Sequence, residues 1–457
     1  MEGHQEPKRR QTSELRLPFR HVPQSLWQFF RWLIPAILTG LIAGGSGVLF
    51  AVMMRYVTEL RGHHPWLIGL LPIGGLAIVG LYHLSGVLRP GGTNLVIQSV
   101  REGDDVPWKM APLIFLSTLI THLVGGSAGR EGAALQLGGA LGDGVGRFIR
   151  RPRADRVILM ISGMSGAFAA LFGTPLAATV LAMELTNVGV MYYAALVPAA
   201  IAAIVAVLLA NTAGIPPIAF TISDISMVPY SVVEGTTASL WTSGEGGTSV
   251  GVFAIGVLPT LGMTLVLAML CASVAVLFCF SLRAMEVIAQ RYVPNQYWRA
   301  IVGGGLLLGL TWLCGTYDYL GLGQDVIHRA FAGDAQPCAF ALKIVFTAVT
   351  LAAGFRGGEI IPAMFTGATF GVILGGWLGL DVSLSAGLGL ICVFCGVTNA
   401  PLTSLILAME MFHMASPILF LLAIAVSYML SGYYGVWRAQ KIVWSKTEQR
   451  HIDQSAL

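Results

Sequence analysis

Residues 175–184 read PLAATVLAME, and residues 401–410 read PLTSLILAME. Both segments open with Pro-Leu and close with Leu-Ala-Met-Glu, and an apolar run that starts with proline is typical of a helix. A similar spacing separates GRE at 129–131 from RGGE at 356–359, and GGALG at 138–142 from GATFG at 367–371. The sequence therefore predicts two related halves, each of them one structural repeat.

The composition places these halves in lipid. The chain has 457 residues, of which 55% are hydrophobic and 11% are charged, whereas soluble domains average about 25% charged residues. A composition this rich in hydrophobic residues excludes a disordered, collagenous or disulfide-rich secreted chain. Runs long enough to cross a ~30 Å hydrocarbon core lie at 33–57, 66–88, 190–211, 251–284, 299–314 and 413–430. We therefore expect an all-α polytopic membrane protein.

Other apolar stretches are interrupted by glycine pairs, proline or single charges. They lie at 111–125, 132–146, 157–185, 340–353 and 362–411, and they indicate short, broken or re-entrant helices. Irregular backbone at membrane depth is tolerated only where it is buried in protein or lines an aqueous cavity. The interruptions therefore indicate a substrate path. An odd number of spans in each half would make the repeats inverted, but the letters alone leave parallel and inverted repeats open.

The pattern of apolar and basic segments predicts five parts. Basic residues cluster near the N-terminus, between Arg147 and Arg156, and after Trp437, which favours loops on the cytoplasmic face of a membrane over a nucleic-acid partner. The parts are a basic N-terminal cytoplasmic tail at 1–32, a first transmembrane half at 33–220, a polar inter-repeat loop at 221–250, a second transmembrane half at 251–437 and a short cytoplasmic C-terminal tail at 438–457.

The segment GGSAGREG at 125–132 is a glycine-rich turn that opens a short apolar helix. A helix N-terminus offers unpaired N–H groups and a positive dipole end to an anion. Glu131 lies at this helix N-terminus. Its carboxylate can occupy the anion site when ionised and leave the site when protonated. This couples proton uptake to anion entry. Alternatively, Arg130 and Glu131 form an interfacial ion pair and the glycines aid helix packing. A nucleotide P-loop is disfavoured, since no Gly-Lys-Ser/Thr follows.

The second half repeats this pattern in RGGEIIP at 356–362. Glu359 is then a second carboxylate beside the anion, or only a helix-start residue, because proline and carboxylates are both favoured in a first helical turn. The segment GGTNL at 91–95 follows a helix. It offers the Thr93 hydroxyl and the Asn94 amide to the same anion, unless it is an ordinary turn.

Other polar residues in apolar surroundings have a structural and a functional interpretation. Glu184 and Glu410 end the repeated helices, and we expect both to be structural. The pair Cys392-x-x-Cys395 has no second ligand pair, so packing is favoured over metal binding, and we predict no metal or cofactor. His122 and His413 are proton-relay candidates, or histidines that are hydrogen-bonded at helix ends.

These motifs, in this order and spacing, resemble the CLC family of anion channels and proton-coupled antiporters over roughly residues 33–441. The resemblance implies a CLC-like inverted repeat of tilted, broken and re-entrant helices, and a homodimer with one pore per subunit. It also implies a multi-pass protein of the inner membrane with both termini in the cytoplasm, and Glu131 as the gating glutamate on the external side.

Within the family, the sequence is similar to the fluoride/proton antiporter branch. It shares GGSAGREG, it carries Glu359 where chloride transporters have an apolar residue, and it has GTNLV at 92–96 in place of the usual Gly-Ser-Gly-Ile-Pro turn. Leu185 stands where chloride/proton antiporters keep an internal proton glutamate, and its absence fits a branch in which protons use another route.

The pore tyrosine of the family falls near Trp437. Either Trp437 donates its indole N–H instead, or Tyr433 or Tyr434 takes the role.

The resemblance implies a fluoride/proton antiporter that exports fluoride and performs no covalent chemistry, so we do not expect an enzyme. Glu131 would gate and carry the proton, and Glu359 would assist coupling. The predicted anion ligands, besides the three aromatic candidates, are Thr93, Asn94, Gly129, Arg130, Ile360 and Ile361.

Three alternatives remain open at this point. The chain could exchange chloride for protons, or it could be a passive, voltage-gated-type chloride channel of the same fold. A more distant alternative is a membrane-embedded enzyme that uses Glu131 and His122, which the absence of a zinc or nucleophile motif weakens. The expected partners are fluoride or chloride, protons, the lipid bilayer and a second copy of the chain, with no nucleic acid.

Overall fold

The computed structural model describes residues 22–87, 91–222 and 249–457. Its first half contains α1 (Val22–Thr39), α2 (Gly45–His63), α3 (Leu71–Leu84), α4 (Thr93–Glu102), α5 (Met110–Leu123), α6 (Glu131–Phe148), α7 (Arg153–Phe172), α8 (Pro175–Glu184) and α9 (Leu196–Thr212). A π-helical segment, Gly40–Gly44, joins α1 to α2, and 3-10 turns at Pro65–Leu70 and Tyr193–Ala195 precede α3 and α9.

The second half contains α10 (Ser249–Tyr292), α11 (Gln296–Cys314), α12 (Gln324–Phe331), α13 (Ala339–Ala352), α14 (Ile360–Leu378), α15 (Val382–Thr398), α16 (Pro401–Met411) and α17 (Pro417–Leu430). A small sheet links the halves at one face: β1 (Asn187–Val188) pairs in parallel with β2 (Lys441–Trp444), which pairs antiparallel with β3 (His451–Ser455). Most of the predicted inter-repeat loop, and the N-terminal tail up to residue 21, lie outside the described residues.

Seven helical segments in the described part are long and apolar enough to cross a membrane: Leu26–His63, Pro65–Leu84, Arg153–Phe172, Tyr193–Thr212, Leu258–Tyr292, Gln296–Cys314 and Ile360–Leu378. The spans predicted at 33–57, 66–88, 190–211, 251–284 and 299–314 are confirmed. The full-length span predicted at 413–430 is wrong. Its helix, α17, has 14 residues, because Ser416 takes a left-handed φ of 45° and the helix starts only at Pro417.

Two long helices, α7 and α14, run through stretches that the sequence analysis treated as broken. The reason is that their glycines are packing contacts inside continuous helices. A Cβ at Gly138 would collide with the carbonyl oxygen of Gly163 between α6 and α7, and a Cβ at Gly367 would collide with that of Gly389 between α14 and α15. The same close packing in both halves confirms the predicted repeat. The true break before α8 is at Gly173, which has a left-handed φ of 72°.

The repeated helices α8 and α16 cap each other. Glu184, at the end of α8, accepts hydrogen bonds from the Leu402 N–H at 3.3 Å, from the Thr403 N–H at 2.9 Å and from the Thr403 hydroxyl at 2.6 Å. Glu410, near the end of α16, accepts from the N–H groups of Leu176 at 3.0 Å and Ala177 at 2.8 Å. Helices that cap one another in this way are antiparallel, so the repeats are inverted. The structural role expected for both glutamates is confirmed.

A chain of polar contacts places both ends of the described chain on one face. Arg31 of α1 pairs with Asp155 at the start of α7, at 2.5 Å. Arg153 in turn pairs with Asp104 in the α4–α5 loop, at 3.0 Å. Arg101, at the end of α4, donates to the Ala439 carbonyl oxygen at 2.6 Å. We call this the termini face.

We expect Gly138→Ala to lower the free energy of unfolding by about 1–3 kcal/mol, because the added methyl group overpacks the contact between α6 and α7. Gly144→Ala, on the same helix, is the matched control, since a Cβ there has nothing within 4 Å and alanine is the better helix former by roughly 0.5–1 kcal/mol. Denaturant unfolding of both variants in detergent tests this. Equal destabilisation by the two substitutions would contradict the packing interpretation.

Candidate functional site

The two glycine-rich turns are joined by a pair of backbone hydrogen bonds. The Gly129 N–H donates to the Gly358 carbonyl oxygen at 2.6 Å, and the Gly358 N–H donates to the Gly129 carbonyl oxygen at 2.7 Å. A Cβ at Gly358 would lie 2.7 Å from the Gly132 nitrogen, so only glycine permits this approach. Because α6 and α14 start directly after the pair, the positive ends of the two helices converge at one point.

Glu131 is the first residue of α6 and is fully buried. Its Oε2 accepts a hydrogen bond from the Ile361 N–H in the first turn of α14, at 3.3 Å. Its Oε1 has no hydrogen-bond partner among the described residues. The carboxylate of one repeat therefore occupies the N-terminus of a helix from the other repeat, which is where an anion would bind.

Glu359 lies in the converse position. It is the N-cap residue of α14, and a methyl group on Gly132, in the first turn of α6, would lie 3.4 Å from its Oε2. That buried oxygen has no partner in the described part of the chain. The two predicted carboxylates thus cross, each facing the helix start of the opposite repeat.

A cavity of about 210 Å³ opens beside Glu359 on the termini face. The Thr93 hydroxyl, at the start of α4, donates to the Gly132 carbonyl oxygen at 3.0 Å, and Asn94 Oδ1 accepts from the Ala439 N–H at 2.9 Å. The polar and aromatic residues that line the cavity include Thr93, Asn94, Gln136, Arg283, Glu286, Arg356, Glu359, Trp437 and Arg438.

Of the three aromatic candidates for the pore position, Trp437 alone lines this cavity. Its side chain is 1% exposed, and its indole Nε1 has no partner among the residues described. The Tyr433 hydroxyl instead pairs with Ser445 Oγ at 3.0 Å. Tyr434 contributes its backbone oxygen to a hydrogen bond with the Asn399 amide, at 3.0 Å. Trp437 is therefore the candidate that borders the cavity at Glu359.

A buried polar network holds the turn that carries Trp437. The Gln440 amide donates to the Thr398 carbonyl oxygen at 2.9 Å, and its own oxygen accepts from Asn399 at 3.1 Å. Lys446, in the β2–β3 connection, donates to Asn399 Oδ1 at 2.5 Å and stacks over Tyr428. Burial lowers the pKa of Lys446 to about 8. These contacts fix the C-terminal segment against the ends of α15 and α17.

Arg130 faces a different region. Its Nη2 contacts the Leu171 carbonyl oxygen at 3.4 Å, and the residue lines a second cavity, of about 280 Å³, together with Arg55 and Glu59 near the end of α2. Because α1 and α2 run continuously away from the termini face, this cavity lies on the opposite face. The structure thus places Arg130 apart from the cavity at Glu359.

The backbone candidates Gly129, Ile360 and Ile361 all lie at the convergence of α6 and α14. His122 is buried, and its ring nitrogens contact the carbonyl oxygens of Thr118 at 2.9 Å and Ala128 at 3.0 Å. These contacts support its interpretation as a hydrogen-bonded residue that holds the glycine turn.

Five polar residues of this cavity are not among the predicted site residues: Gln136, Arg283, Glu286, Arg356 and Arg438. For Gln136, the available signal was a single polar side chain in an otherwise apolar segment, which inside a membrane is a functional indication by default.

The sequence of this chain is similar to those of known membrane transport proteins. The profile of the family described as "Voltage gated chloride channel" matches residues 74–432. A "Chloride/fluoride channel protein" of Pseudomonas syringae pv. tomato is 34% identical over 423 residues, which cover 91% of this chain and 87% of that protein. An "H(+)/Cl(-) exchange transporter" of Cronobacter sakazakii is 25% identical over 412 residues, covering 83% of this chain and 81% of that protein.

Solved structures show the same fold. The crystal structure of a CLC-type fluoride/proton antiporter superposes with a TM-score of 0.80 at 29% identity, covering 91% of this chain and 99% of that chain. A slow cyanobacterial Cl⁻/H⁺ antiporter superposes with a TM-score of 0.69 at 18% identity, covering 88% and 94%. The predicted all-helical inverted-repeat fold is confirmed, and the chain belongs to the CLC family, the voltage-gated chloride channel family of anion transport proteins.

Proposed function

We propose that this protein is a fluoride/proton antiporter that exports fluoride. The observation that carries the proposal is the crossed pair of carboxylates, Glu131 and Glu359, at two helix N-termini that a glycine bridge holds together. Because carboxylates and anions compete for the same N–H groups, binding of an anion and release of a carboxylate become one exchange. One of the solved structures of similar fold, at 29% identity, is described as a CLC-type fluoride/proton antiporter.

In the proposed cycle, ionised Glu131 accepts the N–H of Ile361 and blocks the anion position. Protonation removes its charge and lets the side chain leave, after which the anion takes its place at the converging N–H groups. Two neighbouring carboxylates disfavour simultaneous ionisation, so a proton on Glu359 can stabilise the anion as a donor. Leu185 is apolar and fully buried, which supports a proton route through this pair.

The donor set suits a small anion. Fluoride is strongly hydrated, so its binding needs a dense set of N–H and O–H donors to replace water. The proposed ligands are the backbone N–H groups near Gly129, Ile360 and Ile361, with the Asn94 amide and the Trp437 indole on the side of the termini face. The Thr93 hydroxyl joins them when it turns from the Gly132 carbonyl oxygen to the anion.

Orientation is part of the proposal. Arg31, Arg101 and Arg153 lie on the termini face, and positively charged loops remain cytoplasmic. We therefore place that face, with both termini, the 1–32 and 438–457 tails and the cavity at Glu359, on the cytoplasmic side of the inner membrane. The Arg130 cavity is the external entrance. The transmembrane halves at 33–220 and 251–437 form one subunit of a homodimer in the bilayer.

We expect fluoride to be transported faster than chloride. Purified protein in liposomes, loaded with either anion at equal concentration, should release fluoride at least about tenfold faster, which corresponds to about 1.4 kcal/mol of discrimination. Efflux is recorded with ion-selective electrodes while an internal dye reports pH. Chloride efflux that equals or exceeds fluoride efflux would support the chloride/proton alternative, and anion flux without proton movement would support a passive channel.

We expect Glu131→Gln to abolish proton coupling, because a neutral amide cannot alternate between blocking and vacating the anion position. The measurement is uphill proton movement driven by a fluoride gradient in liposomes. Glu448→Gln, an exposed carboxylate in the β2–β3 connection, is the matched control and should behave as the unmodified protein. Normal coupling in Glu131→Gln would reject the gating role.

We expect Glu359→Gln to impair the coupling ratio while Glu184→Gln and Glu410→Gln leave it intact. The latter two break helix caps, so they should instead lower the free energy of unfolding by about 0.5–2 kcal/mol. Coupling ratio and melting temperature are measured on the same preparations. A Glu359→Gln protein with reduced stability and an unaltered ratio would show that Glu359 is only a helix-start residue.

A further inference from the structure

Gln136 lies on α6, a little more than one helical turn after Glu131. Its side chain is 1% exposed. Both polar atoms of its amide, Oε1 and Nε2, lack a hydrogen-bond partner among the described residues. A buried amide without partners is costly, because the lost hydrogen bonds to water are not replaced. An apolar residue of similar shape would avoid that cost.

The residue nevertheless lies in the wall of a cavity. Gln136 lines the cavity of about 210 Å³ that also reaches Glu359 and Trp437. Since one water takes up about 30 Å³ of liquid, the space is large enough for a hydrated small anion. The unpaired amide of Gln136 is therefore carried by a residue that borders a space that a polar ligand can enter.

Three other residues that line the same cavity also carry a buried polar atom without a partner within the described ranges. These atoms are Glu359 Oε2, Trp437 Nε1 and Arg356 Nε. Arg356 additionally lies with its guanidinium carbon 5.1 Å from the Tyr82 ring centroid. Three of the four groups are N–H donors, and the fourth is a carboxyl group. This set is complementary to an anion accompanied by one proton.

We propose that Gln136 is a ligand for the transported halide and also a hydrogen-bond partner of protonated Glu359. This inference rests on the proposed fluoride/proton exchange and adds a specific residue to it. A side-chain amide carries two N–H donors and one carbonyl acceptor in a neutral group. It can donate to a halide and, at the same time, accept the O–H of a carboxylic acid. Neither an apolar residue nor a third carboxylate could do both.

The consequence is that Gln136 links the halide to the proton on Glu359. When Glu359 is protonated, its O–H can point to the Gln136 oxygen, which leaves the amide N–H groups free for the halide. When Glu359 is ionised, the same N–H groups are drawn to its carboxylate and compete with the halide. The amide itself neither gains nor loses a proton.

The test uses two variants of the full chain. Gln136→Met keeps an unbranched side chain of similar length and removes every hydrogen-bonding atom. Gln136→Glu keeps the acceptor, removes the donors and adds a charge. Gln296→Met, at an exposed position at the start of α11, is the matched control. Each protein is assayed in detergent for its melting temperature with sodium fluoride or sodium chloride, and in liposomes for the fluoride KM and the proton-to-fluoride ratio.

We expect both Gln136 variants to raise the fluoride KM at least tenfold and to lose most of the fluoride-dependent rise in melting temperature, which reports ligand binding to the folded state. We also expect Gln136→Met, without fluoride, to melt at or above the temperature of the unmodified protein, because an unpaired amide is no longer buried. The proton-to-fluoride ratio should fall in Gln136→Met. Gln296→Met should change none of these quantities.

The opposite pattern overturns the inference. A Gln136→Met protein that melts lower but keeps the fluoride KM and the ratio would show a structural amide that only binds water. If Gln136→Met fails to fold, an unchanged KM and fluoride response in Gln136→Glu would reject the ligand role equally. The proposed function fails separately, when the unmodified protein shows neither fluoride flux nor fluoride stabilisation.

Discussion

The pair of hydrogen bonds between Gly129 and Gly358 is the constraint on which the site depends. It brings the positive ends of α6 and α14 together in a region where few other groups can solvate negative charge. Without side chains at these glycines, each turn passes close enough for Glu131 to reach α14 and for Glu359 to reach α6. Because the repeats are inverted, two equivalent helix starts face each other. Each carboxylate can therefore approach the helix start of the other repeat.

The same crossed arrangement occurs twice in the fold, with different degrees of hydrogen bonding. In α8 and α16, Glu184 and Glu410 use both carboxylate oxygens, and every oxygen accepts a backbone N–H. At the glycine bridge, Glu131 uses one oxygen and Glu359 Oε2 has no partner in the residues described. A saturated carboxylate is a structural cap, because moving it loses every bond at once. A carboxylate with an unpaired oxygen loses fewer hydrogen bonds when it moves, so the number of donors is consistent with the mobile role proposed for Glu131 and Glu359.

The repeat, the two glycine turns and five of the apolar spans could be predicted from the sequence because each depends on neighbouring residues. The continuity of α7 and α14 could not be predicted. In the sequence, a glycine inside a packed helix and a glycine at a helix break look alike until the partner helix is known. The sequence also could not show that Trp437, rather than Tyr433, lines the cavity at Glu359. This placement depends on contacts of Asn399 with Gln440 and Lys446, which tertiary packing alone brings together.

Each glycine turn carries an arginine that lines one of the two cavities. Arg130 lines the cavity near the end of α2, and Arg356 lines the cavity on the termini face. Each keeps a buried Nε without a partner in the described chain. Arg130 follows the bridging Gly129 and Arg356 precedes the bridging Gly358, and the two guanidinium groups line cavities on opposite faces. In the proposed cycle, these cations attract an anion from either side toward the same pair of helix starts, and the crossed carboxylates, rather than the cavities, control whether it passes.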